Sequence, residues 1–124
     1  MSTIALTQET FAETVGQDGI VLVDFWAAWC PPCRAFGPVF EAAADEHPEM
    51  VFAKVDTDAE QALSRSLEIM SIPTLMVFRD GVLVFSQPGA LPKASLARLI
   101  GAVQDLDMDA VRAEIASKAP KATA

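Results

Sequence analysis

The sequence predicts an α/β fold in which a central mixed β-sheet carries helices on both faces. Short apolar runs alternate along the chain with segments of helical period. The run Ile20–Ala27 is apolar on both of its alternating faces, as a central strand covered on both sides requires. An Arg79-Asp80-Gly81 turn with Asp-Gly chemistry joins two further apolar runs as a tight antiparallel hairpin, so the sheet is mixed.

In chain order, Thr3–Leu6 reads as a first strand, and Thr7 as the cap of a short helix over Gln8–Val15 that ends at the Gly16-Gln17-Asp18-Gly19 turn. In the Ile20–Ala27 strand, Val21, Val23 and Phe25 face one side, Leu22 and Trp26 the other. Beyond the cysteines, Phe36, Val39, Phe40, Ala43 and Ala44 recur at helical spacing as far as His47-Pro48, with Pro38 inside the pattern as an expected kink. Val51–Asp56 is the next strand. Ala59, Ala62, Leu63, Leu67 and Met70 mark one face of a helix that Ser71-Ile72-Pro73 breaks. Thr74–Phe78 and Val82–Phe85 are the hairpin strands. Pro92 fits as the first residue of a helix whose face Leu96, Leu99, Ile100 and Val103 returns to the sheet. Residues 1–106 make up one domain. Residues 107–124 form a C-terminal extension in which Asp107 caps a short helix carrying Met108, Val111 and Ile115, a stripe expected to pack on its own domain, with fraying from Ala119 onward.

Composition narrows the function. A chain of 124 residues, 52% of them hydrophobic, builds one core without metal or disulfide support. A formal charge of −8 argues against a hold on nucleic acid or anionic lipid. Its longest apolar stretch, Ile20 to Trp29, is interrupted by Asp24 and too short to span a bilayer. The first residues lack the basic and apolar regions of a secretory signal, so the expected location is the cytoplasm. The only two cysteines stand together as C-P-P-C, which excludes a disulfide framework or a four-thiolate zinc site within the chain and points to redox chemistry.

With Cys30 as N-cap of the long helix, Pro31 and Pro32 occupy its first turn, where a missing N–H removes little helical bonding. Because Pro32 has no N–H, the Cys33 amide is the remaining donor for the Cys30 sulfur. That bond and the helix dipole favour a thiolate, which makes Cys30 the attacking nucleophile. Cys33, three residues on, is within reach to close a disulfide, and so short a loop contributes little as a staple. A buried, inert cysteine pair is the plain alternative. Asp24 lies on a strand apolar on both faces. Desolvated there, it would hold a raised pKa and serve as base for Cys33; at a strand end it would simply face solvent. Lys54, a charge within another strand, either pairs with Asp24 or lies on a solvated face. His47, before Pro48, takes no catalytic role, and Trp26 and the phenylalanines read as core.

The run V-D-F-W-A-A-W-C-P-P-C-R, followed by Pro38, F-A-K-V-D, S-I-P-T, Asp80-Gly81 and P-G-A-L-P, resembles the thioredoxin family in sequence and order as far as about Leu106. The C-R-x-F-x-P-x-F-E run and A-L-P-K are most similar to its thioredoxin 2 subtype, without the zinc-binding cysteines that precede that subtype's domain. The resemblance implies a thioredoxin fold and a protein-disulfide reductase with no bound cofactor, reset by an NADPH-dependent flavoprotein reductase. It implies Cys30 as nucleophile, Cys33 as resolving thiol, Asp24 as buried base and Lys54 as its charged neighbour. Trp29, Pro31, Pro32, Ile72, Pro73, Gly89 and Ala90 would contact substrate, with Pro73 cis, and the protein would act as a monomer on disulfide-containing proteins. Two departures bear on partners. C-P-P-C, as in tryparedoxin-like proteins, replaces the usual C-G-P-C, and Met70 stands where the subtype commonly carries a basic residue, making docking more apolar. The rival readings are a redox-silent docking module, which has no need of both thiols, and a copper(I) or zinc carrier using the thiol pair.

Overall fold

The computed structural model describes residues 2–118. Five strands, β1 (Thr3–Ala5), β2 (Ile20–Trp26), β3 (Val51–Asp56), β4 (Thr74–Arg79) and β5 (Val82–Pro88), form one sheet in the order β1-β3-β2-β4-β5. β1, β3 and β2 run parallel; β4 is antiparallel to β2, and β5 to β4. The sheet is mixed, as the hairpin predicts. Its two-residue loop, Asp80 and Gly81, has φ of 54° and 81°, the left-handed pair that matches the twist of a two-residue hairpin.

The alternation of β2 sorts the core into two layers. Val21, Val23 and Phe25 join Phe11, Val15, Val55, Leu63, Met76 and Phe78 beneath α1 (Phe11–Val15) and α3 (Gln61–Ser66). Leu22 joins Phe36, Phe40, Phe52, Leu75, Leu96 and Ile100 beneath α2 (Pro31–Glu46) and α4 (Lys93–Gln104). On the second face Phe40 meets Phe36 and Phe52 at ring-centroid distances of 5.8 and 5.2 Å. Pro38 lies inside α2, which continues to Glu46.

Several boundaries differ from the sequence reading. Residues Gln8–Thr10 form a turn closed by the Phe11 amide donating to the Thr7 carbonyl at 3.0 Å, and α1 starts only at Phe11. Thr7 therefore opens a turn, and the residue before the helix is Thr10. α3 is shorter than its apolar spacing suggests. Glu68 takes φ of 57° and the Ile69 amide donates to the Ser64 carbonyl, so the chain leaves the helix at Leu67 and Met70 is 92% exposed instead of sitting on a packed face. Ala59 precedes α3, in the turn after β3. β5 extends to Pro88, and Pro92 is the N-cap of α4, one residue outside it. Trp26 is half-buried instead of core, packed against the cysteine pair beneath the Lys54 ammonium.

α5 (Met108–Lys118) is capped by Asp107, whose carboxylate accepts from the Ala110 amide at 3.2 Å. It buries Met108, half-buries Val111 and leaves Ile115 exposed. The Arg79 guanidinium fastens this end of the chain, donating to the carbonyls of Val103 at 2.8 Å, Gln104 at 3.2 Å and Leu106 at 2.7 Å, at and just past the end of α4. Asp80 adds an ion pair to Arg112 at 3.7 Å. The expected fraying from Ala119 onward lies outside the described residues.

Candidate active site

The parallel strands β2 and β3 deliver their C-terminal ends to one edge of the sheet, where α2 begins. Cys30 is the N-cap of α2 in extended conformation, with Pro31 and Pro32 in the first turn. Its Sγ accepts from the Cys33 amide at 3.2 Å, the bond that the two prolines leave as the available one. The two cysteines form a disulfide, with Cα atoms 5.3 Å apart. Both are buried in a small cluster with Ala27, against Trp26 and Ile72.

Around them the chain gathers residues distant in sequence. The Ile72 carbonyl lies 3.7 Å from Cys30 Sγ. The Ile72–Pro73 peptide is cis. The Gly89 amide, at φ of 109°, donates to the Pro73 carbonyl at 2.7 Å, and Ala90 follows it exposed. Trp29 is 65% exposed, its Nε1 donating to Asp58 at 3.0 Å, and Pro31 and Pro32 are exposed beside it. Ile72 thus meets the Cys30 sulfur, Trp29, Pro31 and Pro32 adjoin Cys30 in the chain, and Gly89 reaches Pro73.

Asp24 lies within the sheet, fully buried, and neither carboxylate oxygen has a hydrogen-bond partner among the described residues. Burial pushes its pKa up to about 7, against the opposing pull of the Lys54 ammonium and with a smaller upward push from Glu41. The solvent-facing alternative for Asp24 is thereby excluded. Lys54 is its register partner on β3, but their side chains form no ion pair. The ammonium instead sits 3.9 Å from Glu41 and 5.2 Å from the Trp26 ring centre. Lys54 and Cys33 line one cavity of about 150 Å³, with Gly37 and Arg34.

Three contributors escaped the sequence reading. Asp58 holds the Trp29 ring, Arg34 donates to the Ala28 carbonyl at 2.8 Å ahead of the first cysteine, and Glu41 holds Lys54. The position of Asp58 just past a strand end was a usable signal for the first. Glu41 ends the C-R-x-F-x-P-x-F-E run, but nothing local gives its role, because its partners come from β1 and β3.

A cysteine pair joined as a disulfide at a helix N-terminus is the arrangement of a thiol–disulfide oxidoreductase. The thioredoxin family model matches residues 2–102. A Streptomyces coelicolor protein carrying the name thioredoxin 2 is 52% identical over 121 residues, covering 98% of this chain and 90% of that protein. Thioredoxin 1 of Synechococcus elongatus is 44% identical over 98 residues, covering 77% of this chain and 92% of its own. Among solved structures, the Malassezia sympodialis thioredoxin superposes with a TM-score of 0.73 at 33% identity, covering 82% of this chain and 90% of that one. Plasmodium falciparum thioredoxin gives 0.73 at 34%, with 81% and 97% covered. The chain belongs to the thioredoxin family, and it is a protein disulfide oxidoreductase. Thioredoxins reduce disulfide substrates and need no bound cofactor. Among the described residues no group of three or more His, Cys, Asp or Glu is placed to hold a metal ion, and no helix is long and apolar enough to cross a membrane.

Proposed function

We propose that the protein reduces disulfides of target proteins with Cys30 as nucleophile, Cys33 as resolving thiol and Asp24 as the base that serves Cys33. The observation that carries this reading is the Cys33 amide donating to Cys30 Sγ at the N-terminus of α2, which stabilises negative charge on Cys30 alone. In the first step the Cys30 thiolate bonds to one sulfur of the target disulfide, and the target's other sulfur leaves as a thiolate. In the second, Cys33 loses its proton and attacks Cys30 Sγ. The Cys30–Cys33 disulfide forms, the mixed disulfide breaks, and the target holds both electrons.

Asp24 suits the second step because a buried carboxyl with a pKa near 7 can both take and hold a proton at neutral pH. Lys54, lining the cavity beside Cys33, is the charged neighbour of that transfer. Trp29, Ile72, Pro73, Gly89, Ala90 and the exposed edges of Pro31 and Pro32 receive an extended segment of the target. Exposed Met70, two residues before Ile72, makes one side of that surface apolar.

Residues 1–106 constitute the redox domain, in keeping with the family match over 2–102, and residues 107–124 are an extension to it. The protein works as a cytoplasmic monomer, away from nucleic acid and membranes, and its disulfide is returned to the dithiol by an NADPH-dependent flavoprotein reductase. Its place in the cell would then be electron transport and redox homeostasis.

Stopped-flow separation of the two steps tests the assignment. Asp24→Asn is expected to slow release of the reduced target about tenfold or more while changing the first attack less than threefold. Equal slowing of both steps, or of neither, would remove Asp24 from the chemistry.

A further inference from the structure

Lys54 is the one cation in the sheet register beside Asp24, yet its ammonium forms no ion pair with that carboxyl. Glu41 on α2 takes it at 3.9 Å, and Glu41 is itself fixed by the Thr3 hydroxyl of β1, which donates to the same Oε2 at 3.1 Å. The Trp26 ring lies beneath the ammonium. Three elements thus converge on one side chain, while both oxygens of Asp24 stay without a partner.

We infer that Glu41 is a positioning residue for the resolving step, anchoring the Lys54 ammonium beside α2 so that this cation does not pair with the Asp24 carboxyl. The inference rests on Asp24 acting as the base for Cys33. If Lys54 closed on Asp24, the carboxylate would be held as its ion pair and would be a poorer proton acceptor. Glu41 keeps the carboxyl basic in two ways, by holding the cation off and by its own negative charge.

The groups that bear on Asp24 are few. β3 presents Lys54 and α2 presents Glu41, while Arg34 of α2 is exposed and bonded to the Ala28 carbonyl. On β4 the register partner of Asp24 is Leu75, and α4 turns Leu96, Ile100 and Val103 inward, none of them titratable. Removing the Glu41 charge therefore has one direction of effect. Burial of Asp24 remains, Lys54 is released, and the carboxyl titrates lower.

The test follows the Asp24 carboxyl by ¹³C NMR against pH in the oxidised protein, together with the pH profile of the resolving step. Glu41→Gln is expected to lower the Asp24 midpoint by about half a pH unit or more and to move the profile with it. Thr3→Val, which removes the anchor but keeps the charge, should give a smaller shift of the same sign. Lys54→Gln should raise the midpoint, and in that background Glu41→Gln should lose at least half of its effect. An unmoved or raised midpoint in Glu41→Gln overturns the inference. A shift of equal size with and without Lys54 also overturns it, because Glu41 would then act as a charge and not through the lysine. Failure of the underlying reading looks different. Asp24→Asn would then leave the pH profile of the resolving step unchanged, whatever the NMR midpoints do.

Discussion

Asp24→Asn offers a test of the site through stability alone. In the fold the Asp24 carboxyl titrates near 7, against the ordinary 3.8 expected of it in the unfolded chain. Each unit of that gap corresponds to about 1.36 kcal/mol, so ionised Asp24 costs the folded state up to about 4 kcal/mol. Because the folded pKa is the higher one, the folded protein binds more protons between the two values and loses stability as pH rises. The penalty is absent below about pH 4 and complete above about pH 8. Asparagine keeps the shape and cannot ionise, and its buried amide lacks partners just as the protonated carboxyl does, so that cost nearly cancels between the two proteins. The variant should therefore lie within about 1 kcal/mol of the parent at pH 4 and be up to about 4 kcal/mol more stable at pH 8. Urea unfolding of the oxidised proteins at pH 4, 6 and 8 measures this. Parallel stability–pH curves for the two proteins would show that Asp24 is not a buried carboxyl of raised pKa, and the base assignment would lose its physical ground.

Two further outcomes follow from the geometry. In the reduced protein the Cys30 thiol should titrate below the roughly 8.5 of a free cysteine, since the Cys33 amide and the α2 terminus both favour its anion; thiolate absorbance against pH checks this. Arg79→Ala removes the guanidinium donor shared by three carbonyls at the α4–α5 junction and should destabilise the protein by about 1–3 kcal/mol in urea unfolding, with α5 amides losing hydrogen-exchange protection first.

The sequence shows most plainly what depends on local pattern. The two-faced apolar strand Ile20–Trp26, the Asp80-Gly81 hairpin and the capping role of Cys30 all rest on residues within a few positions of one another. Burial of Asp24 was one of two readings the strand pattern left open, and the covering of that face by α2 and α4 decides it. The end of α3 was not legible. Leu67 and Met70 continue the helical spacing, but the left-handed turn at Glu68 is set by tertiary packing of Ile69, and no glycine marks it. Nor could spacing say whom Lys54 meets. Its neighbour in register is Asp24, and only the packing of α2 over β3, with Thr3 alongside, brings Glu41 within range.

The division of labour between the cysteines is tested most directly by trapping. Cys33→Ser is incubated with insulin and resolved on a non-reducing gel. With Cys30 as attacker and the resolving thiol gone, the reaction should stop at the mixed disulfide, giving a higher-mass band that dithiothreitol abolishes, whereas Cys30→Ser gives none. Adducts from Cys30→Ser and not from Cys33→Ser, or from neither folded variant, would contradict the assignment of Cys30 as nucleophile.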